Sequence, residues 1–254
     1  MGILALIRRC VLGKPSTNLG PIGNTEPVCP YCRRDLARRP AKKAKCSHCG
    51  KFIYVRTRPA DRRQVLVTEA QAEQIEEQWS IVNGTHREFL ASRRQFWAEK
   101  DSLRDRLGRE PADTDVQWSL LNNELAAHAA NQDWGHYRNA KLGMAEILRR
   151  QSKLQQALEA YLEVCYLDLN GPSNAGSYRR DAALLRKYPP FDPRGQGFLA
   201  PEVLRRAGRI ISKLHSDPGD VQRLFERVAG PLEKSLRLPL AAPHAWKKIA
   251  AGLF

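Results

Sequence analysis

The chain has 254 residues, 42% of them apolar and 27% charged, with a formal net charge of +15 at pH 7. That apolar share is enough for a packed core and excludes wholesale disorder. No run of about eighteen apolar residues exists that could cross a membrane, and the length leaves room for one or two globular domains beside a small module.

Met1 to Ile7 are apolar for too short a stretch to form the core of a signal peptide, and Arg8 and Arg9 follow that stretch instead of preceding it. Leu6 stands where a myristoylation motif needs Ser or Thr. Residues 1–12 read as a short amphipathic turn or a loose apolar arm, one that docks on the body in preference to anchoring at a membrane surface. Gly13, Pro15, Gly20, Pro21, Gly23 and Pro27 then mark a flexible linker, so residues 1–27 are expected to be arm and linker together.

Cys29-Pro30-Tyr31-Cys32 and Cys46-Ser47-His48-Cys49-Gly50 are two C-x₂-C pairs with thirteen residues between them. Each pair predicts a tight turn whose backbone amides face two sulfurs, and Gly50 suits a turn that needs positive φ. Cys29, Cys32, Cys46 and Cys49 are therefore the expected ligands of one structural Zn²⁺ in a closed tetrahedral site. The expected module is a zinc ribbon over residues 28–60, with Phe52 to Arg56 as its closing strand. His48 lies inside the second turn and reads as a neighbour of the site, because four sulfurs already complete a tetrahedron. Paired C-x₂-C turns without a leader point to a reducing, cytoplasmic setting.

The charge is concentrated here. Residues 29–63 carry twelve Lys and Arg against Asp35 and Asp61, a formal +10, while the rest of the chain is close to balanced. Arg33, Arg34, Arg38, Arg39, Lys42, Lys43, Lys45, Lys51, Arg56 and Arg58, with Tyr54 among them, are candidate nucleic-acid contacts; Tyr31 and Phe52 offer further rings for stacking. The same charges also suit an acidic protein surface or plain solvent exposure. No reading element for base-specific recognition is visible.

Helical spacing begins at Thr68, which makes a capping-box signature with Gln71. One helical segment is expected over 68–110, broken at Asn83-Gly84. Further helices are predicted over about 115–131, 134–150 and 153–170. Ala145, Leu148, Ser152, Ala157, Tyr161 and Val164 fall where a tetratricopeptide unit places its helix–helix contacts, so residues 113–171 read as a tetratricopeptide-like region or an ordinary helical hairpin. Lys141 stands where that repeat has a large apolar residue, and no second copy follows at the repeat spacing. A C-terminal helical region over 178–254 is expected to hold a short helix near 181–187, one from Pro201 to Leu214, one from Pro218 to Gly230, and a last one carrying Trp246.

No phosphate loop, H-E-x-x-H, nucleophile elbow or EF-hand loop is present, so no enzymatic activity is expected. His128 and His136 read as ordinary residues, and Cys165, with Leu162 and Leu169, reads as core.

Cys46-Ser-His-Cys-Gly-Lys-Phe-Ile-Tyr-Val-Arg, together with the helices from Trp118 to Asn170, resembles prokaryotic and phage-type zinc-ribbon proteins with a tetratricopeptide-like helical body. That resemblance implies zinc binding through Cys29, Cys32, Cys46 and Cys49, and nothing further. The expected protein is mainly α: a small zinc ribbon of two or three strands followed by an all-helical bundle. Its expected role is binding, of nucleic acid by the ribbon and of a protein partner by the helices. The alternative is an adaptor or phage-type structural component whose ribbon docks on an acidic protein.

Overall fold

The computed structural model describes residues 21–178 and 181–254. The arm expected over residues 1–12, and the linker as far as residue 20, lie outside them. The chain is mainly helical, with a small antiparallel sheet, and divides into two units that meet between Gln95 and Phe96.

The first unit is built on β1 (Ala44–Lys45), β2 (Phe52–Thr57) and β3 (Gln64–Val67), in the order β1-β2-β3. Ile53 faces Ala44, and Val55 faces Leu66 across β2 and β3. Because side chains alternate along a strand, Ile53 and Leu66 turn to one face and gather with Cys29 and Cys46, with Val55 packed against them. Val65 and Val67 turn to the other face and meet Ala72 and Ile75 of α1 (Glu69–Val82), beside Tyr54 and Trp79. All three apolar residues of β3 are thus fully buried.

The helix is fastened to the sheet at both ends. The expected capping box is present: Gln71 N–H donates to Thr68 Oγ1 at 3.2 Å, and Thr68 N–H donates to Gln71 Oε1 at 3.0 Å. Tyr54 O–H donates to Glu69 at 2.5 Å, and Trp79 Nε1–H donates to the Thr57 carbonyl at 2.7 Å. After Asn83 and Gly84, α2 (His86–Leu107) begins, and the boundary between the units falls within it.

Two expectations need correction here. The sheet continues past residue 60, since β3 lies at Gln64–Val67. The end of the expected linker is also not free chain. Asn24 pairs with Leu66 through N–H···O bonds of 3.0 and 2.8 Å and covers the outer edge of β3. Gly23 (φ 84°) lies so close that an added Cβ would strike Val67 and the Leu66 carbonyl. The pairing groups along a strand edge demand a partner, and this short segment supplies it.

The second unit holds α3 (Asp113–Asn131), α4 (Trp134–Arg150), α5 (Leu154–Asn170), a 3₁₀ turn (Ala175–Tyr178), α6 (Ala182–Lys187), α7 (Pro201–Leu214), α8 (Pro218–Leu236) and α9 (Ala242–Leu253). Helix α5 is its axis, touching α4, α7, α8 and α9, and is buried almost all round from Tyr161 to Asn170. Helices α4 and α5 form an antiparallel hairpin, with Arg138 near the start of one bonded to Asp168 near the end of the other by contacts of 2.6 and 2.7 Å. Ala145, Leu148, Ala157, Tyr161 and Val164 are buried, and Lys141 pairs with Glu163 at 2.6 Å. Helix α8 does not stop at Gly230 as expected but runs through Pro231 to Leu236. Burial of Ala229 and Leu232 in the core holds the helix together across a residue that donates no hydrogen bond.

Candidate metal centre and its basic surround

Two turns of one design carry the four cysteines. In the first, Cys29 N–H donates to the Arg34 carbonyl and Arg33 N–H to the Cys29 carbonyl, both at 2.9 Å. In the second, Cys46 N–H donates to the Lys51 carbonyl and Gly50 N–H to the Cys46 carbonyl, also at 2.9 Å. The fifth residue is left-handed in both, Arg33 at φ 57° and Gly50 at φ 69°. A third turn repeats the plan with no sulfur. Arg58 N–H donates to the Arg63 carbonyl at 2.9 Å, Arg62 N–H donates to the Arg58 carbonyl at 3.1 Å, and Arg62 has φ 59°. Where the first two turns place cysteines at their first and fourth positions, the third places Arg58 and Asp61, joined by contacts of 3.1 and 2.5 Å.

The four sulfurs lie within 4.8 Å of one another. Cys29 Sγ stands 3.8 Å from Cys49 Sγ, and Cys32 Sγ stands 3.9 Å from Cys46 Sγ. A tetrahedron of sulfurs about 2.3 Å from a central ion has edges of about 3.8 Å, so these residues fit a four-coordinate metal. Cys29 and Cys46 are buried, and Cys32 and Cys49 are half-buried.

Local electrostatics point the same way. Amide N–H groups of Tyr31 and Cys32 face the Cys29 sulfur, as those of Cys49 and His48 face the Cys46 sulfur. The Cys46 thiol is drawn down to about 6, chiefly by the Cys49 amide. Burial outweighs the equivalent amides at Cys29, whose thiol is pushed up to about 11. Sulfurs crowded into one space resist ionising together, and a bound cation offsets that repulsion. His48 contributes its backbone amide, and its residue is exposed.

The basic side chains sort into two groups. Arg58 is only 7% exposed, is paired with Asp61 and reaches the Ile22 carbonyl at 3.4 Å, so it is a clamp inside the unit and leaves the candidate contact set. Arg56 is bonded to Glu76 of α1 at 3.2 and 3.3 Å, and Arg39 donates to the Gln64 carbonyl at 2.6 Å. Among the described residues no carboxylate pairs with Arg33, Arg34, Arg38, Lys42, Lys43, Lys45 or Lys51, and all seven are exposed.

Cations and rings alternate along the edge formed by β1 and β2. The Lys43 ammonium lies 4.6 Å from the Phe52 ring centre and 4.5 Å from that of Tyr54. Lys45 lies 5.3 Å from Phe52, and Lys51 lies 5.0 Å from Tyr31. Tyr54 is half-buried with its hydroxyl held by Glu69, whereas Phe52 is 44% exposed.

Sequence reasoning missed that α1 belongs to this unit and that Arg58 and Asp61 close a third turn. The continuous run Val65-Leu66-Val67 was the available signal, since a strand apolar at every position is covered on both faces. Elsewhere, His128 and His136 have ring centres 5.1 Å apart, and Cys165 is buried, its thiol pushed up to about 12 by that burial.

Comparison of the chain with protein-family models, curated proteins and solved structures gives no match to any of them.

Proposed function

We propose that this is a zinc-binding, non-enzymatic binding protein. Its basic ribbon contacts nucleic-acid phosphates, and its helical unit engages a protein partner. Cys29, Cys32, Cys46 and Cys49 hold the zinc, whose chemistry is that of a cross-link: with four sulfur ligands and no open position it activates no water. The setting that suits such a site is a reducing one, as in the cytoplasm. The architecture fits a zinc ribbon carried ahead of a tetratricopeptide-like hairpin.

The nucleic-acid reading is carried by the group of exposed Lys and Arg residues that have no carboxylate partner among the described residues, displayed around two sulfur-bearing turns. Cations that a protein leaves unneutralised in one place attract a polyanion, and release of its counterions makes binding steeply salt-dependent. Anisotropy titration of labelled nucleic acid with the zinc-loaded protein tests this. Contact with about five phosphates predicts a loss of affinity of about a hundredfold for a single strand, and more for a duplex, between about 50 and 200 mM salt. Flat salt dependence, or capture of a defined protein that survives nuclease treatment in place of any nucleic acid, overturns it in favour of an adaptor that docks on an acidic protein. Metal analysis that returns iron instead of one zinc per chain overturns the metal assignment, because iron also takes four sulfurs.

A further inference from the structure

We propose that the ribbon's ligand is single-stranded nucleic acid, with a base stacked on Phe52 and flanking phosphates held by Lys43, Lys45 and Lys51. This rests on the nucleic-acid reading above and narrows it.

Three observations favour a single strand over a duplex. The first is Phe52 itself. It is a large apolar ring on the surface, at the start of β2, and the register places Lys45 directly opposite it. Lys43 and Lys45 hold their ammonium groups 4.6 and 5.3 Å from its centre. Both ammonium groups lie over the ring, on long flexible stems, so a base that takes the ring face displaces them towards the phosphates on either side of it. A duplex conceals its base faces in its own stack, so it has no use for such a ring unless a base is first unstacked.

The second observation is the width of the basic surface. Helix α1 lies against the same sheet and carries Glu69, Glu73, Glu76 and Glu77 with no Lys or Arg in its length. Glu76 already occupies Arg56. Arg93 lies 3.9 Å from Glu73 and 3.8 Å from Glu77, so the helix-covered side holds four carboxylates against two arginines, and the cations without a carboxylate partner among the described residues are those of the turns and the β1–β2 edge. A strip with an acidic border accommodates one phosphate backbone. A duplex docked there would bring a second backbone towards the carboxylates.

The third concerns groove reading. Major-groove recognition takes a helix or a two-stranded ribbon presented to the bases. Helix α1, which packs on the sheet, has the wrong charge, and Arg93 in the first turns of α2 is turned to Glu73 and Glu77. Strand β1 has two residues, and the residue facing outward beside Phe52 is a phosphate-seeking lysine, not a reader of base edges.

The test uses the full zinc-loaded chain with a fluorescein-labelled oligothymidylate, the matching duplex, and the variants Phe52→Leu and Phe52→Tyr. The expected result is tighter binding of the single strand than of the duplex. Phe52→Leu is expected to lose about tenfold or more in affinity, as loss of one stacked base predicts, and Phe52→Tyr to restore it. Because Phe52 is exposed, unchanged zinc content and melting temperature accompany these effects. Equal or tighter binding of the duplex, or a Phe52→Leu variant that binds the single strand as well as the parent does, overturns the single-strand proposal while leaving phosphate binding standing. Failure to bind either form overturns both.

Discussion

Arg33 and Gly50 occupy equivalent places in two equivalent turns, yet they are chemical opposites. Both have positive φ, a conformation that costs an L-residue about 1–2 kcal/mol and glycine almost nothing. An added Cβ at Gly50 would meet nothing within 4 Å, so Gly50→Ala isolates the backbone effect. It is expected to lower the stability of the zinc-loaded first unit by about 1 kcal/mol, read as the urea midpoint of Trp79 fluorescence. Arg33→Gly is expected to be neutral or slightly stabilising in the same assay, because relief of strain is offset by the entropy of a freer unfolded chain. In the helical unit, the residue to watch is Asp168, whose side chain is 2% exposed and whose carboxyl is pushed up by burial, with the Arg138 guanidinium opposing. Arg138→Ala leaves that carboxylate buried without its partner and should cost about 3–5 kcal/mol in chemical denaturation.

At the scale of elements, Glu146 ties three helices together: it lies on α4 and accepts from Tyr161 of α5 and Arg206 of α7, and from Arg149 at 2.8 Å. Burial raises its pKa, but the bonds from Tyr161, Arg149 and Arg206 prevail and hold it below the usual carboxylate range. A carboxyl depressed in the folded state stabilises above its unfolded value, about 4.3 for Glu, and loses that contribution as pH falls through the folded value. Helical stability should therefore fall as pH drops from about 5 to about 3, and less steeply in Glu146→Gln. Much at this scale was legible from residues. Thr68 and Gln71 announced the start of α1, Pro201 and Pro218 announced α7 and α8, and the cysteine spacing announced two equivalent turns. What was not legible depended on partners distant in sequence. Gly230-Pro231 carries a stop signal that burial of Ala229 and Leu232 overrides. Arg58 looked like one more surface charge, and only its contacts with Asp61 and the Ile22 carbonyl, thirty-six positions away, show it as a clamp. Gly23 reads as linker because the strand edge it serves lies some forty residues downstream.

For the molecule as a whole, the two units have separate cores, the sulfur-lined and α1-covered clusters in one and the α5-centred cluster in the other. Cys29→Ser, Cys46→Ser, or a strong chelator should release the metal and disorder the first two turns while most helical ellipticity persists. Hydrogen exchange should then show lost protection around residues 29–51 and retained protection in β2 and β3, whose connecting turn is closed by Arg58 and Asp61 without metal. Retention of stoichiometric zinc by either serine variant would remove its cysteine from the ligand set.

The four carboxylates of α1, met by Arg56 and Arg93, and the lysines of the turns, which have no carboxylate partner among the described residues, set unlike charge in different parts of the first unit. A polyanion drifting towards it feels a torque before it feels a contact, so encounters are sorted by orientation while the partners are still separated by water. Reversing the sign of Glu73, which lies 3.9 Å from Arg93 and touches neither the sulfurs nor the β1–β2 edge, should therefore alter the association rate more than the lifetime of the complex.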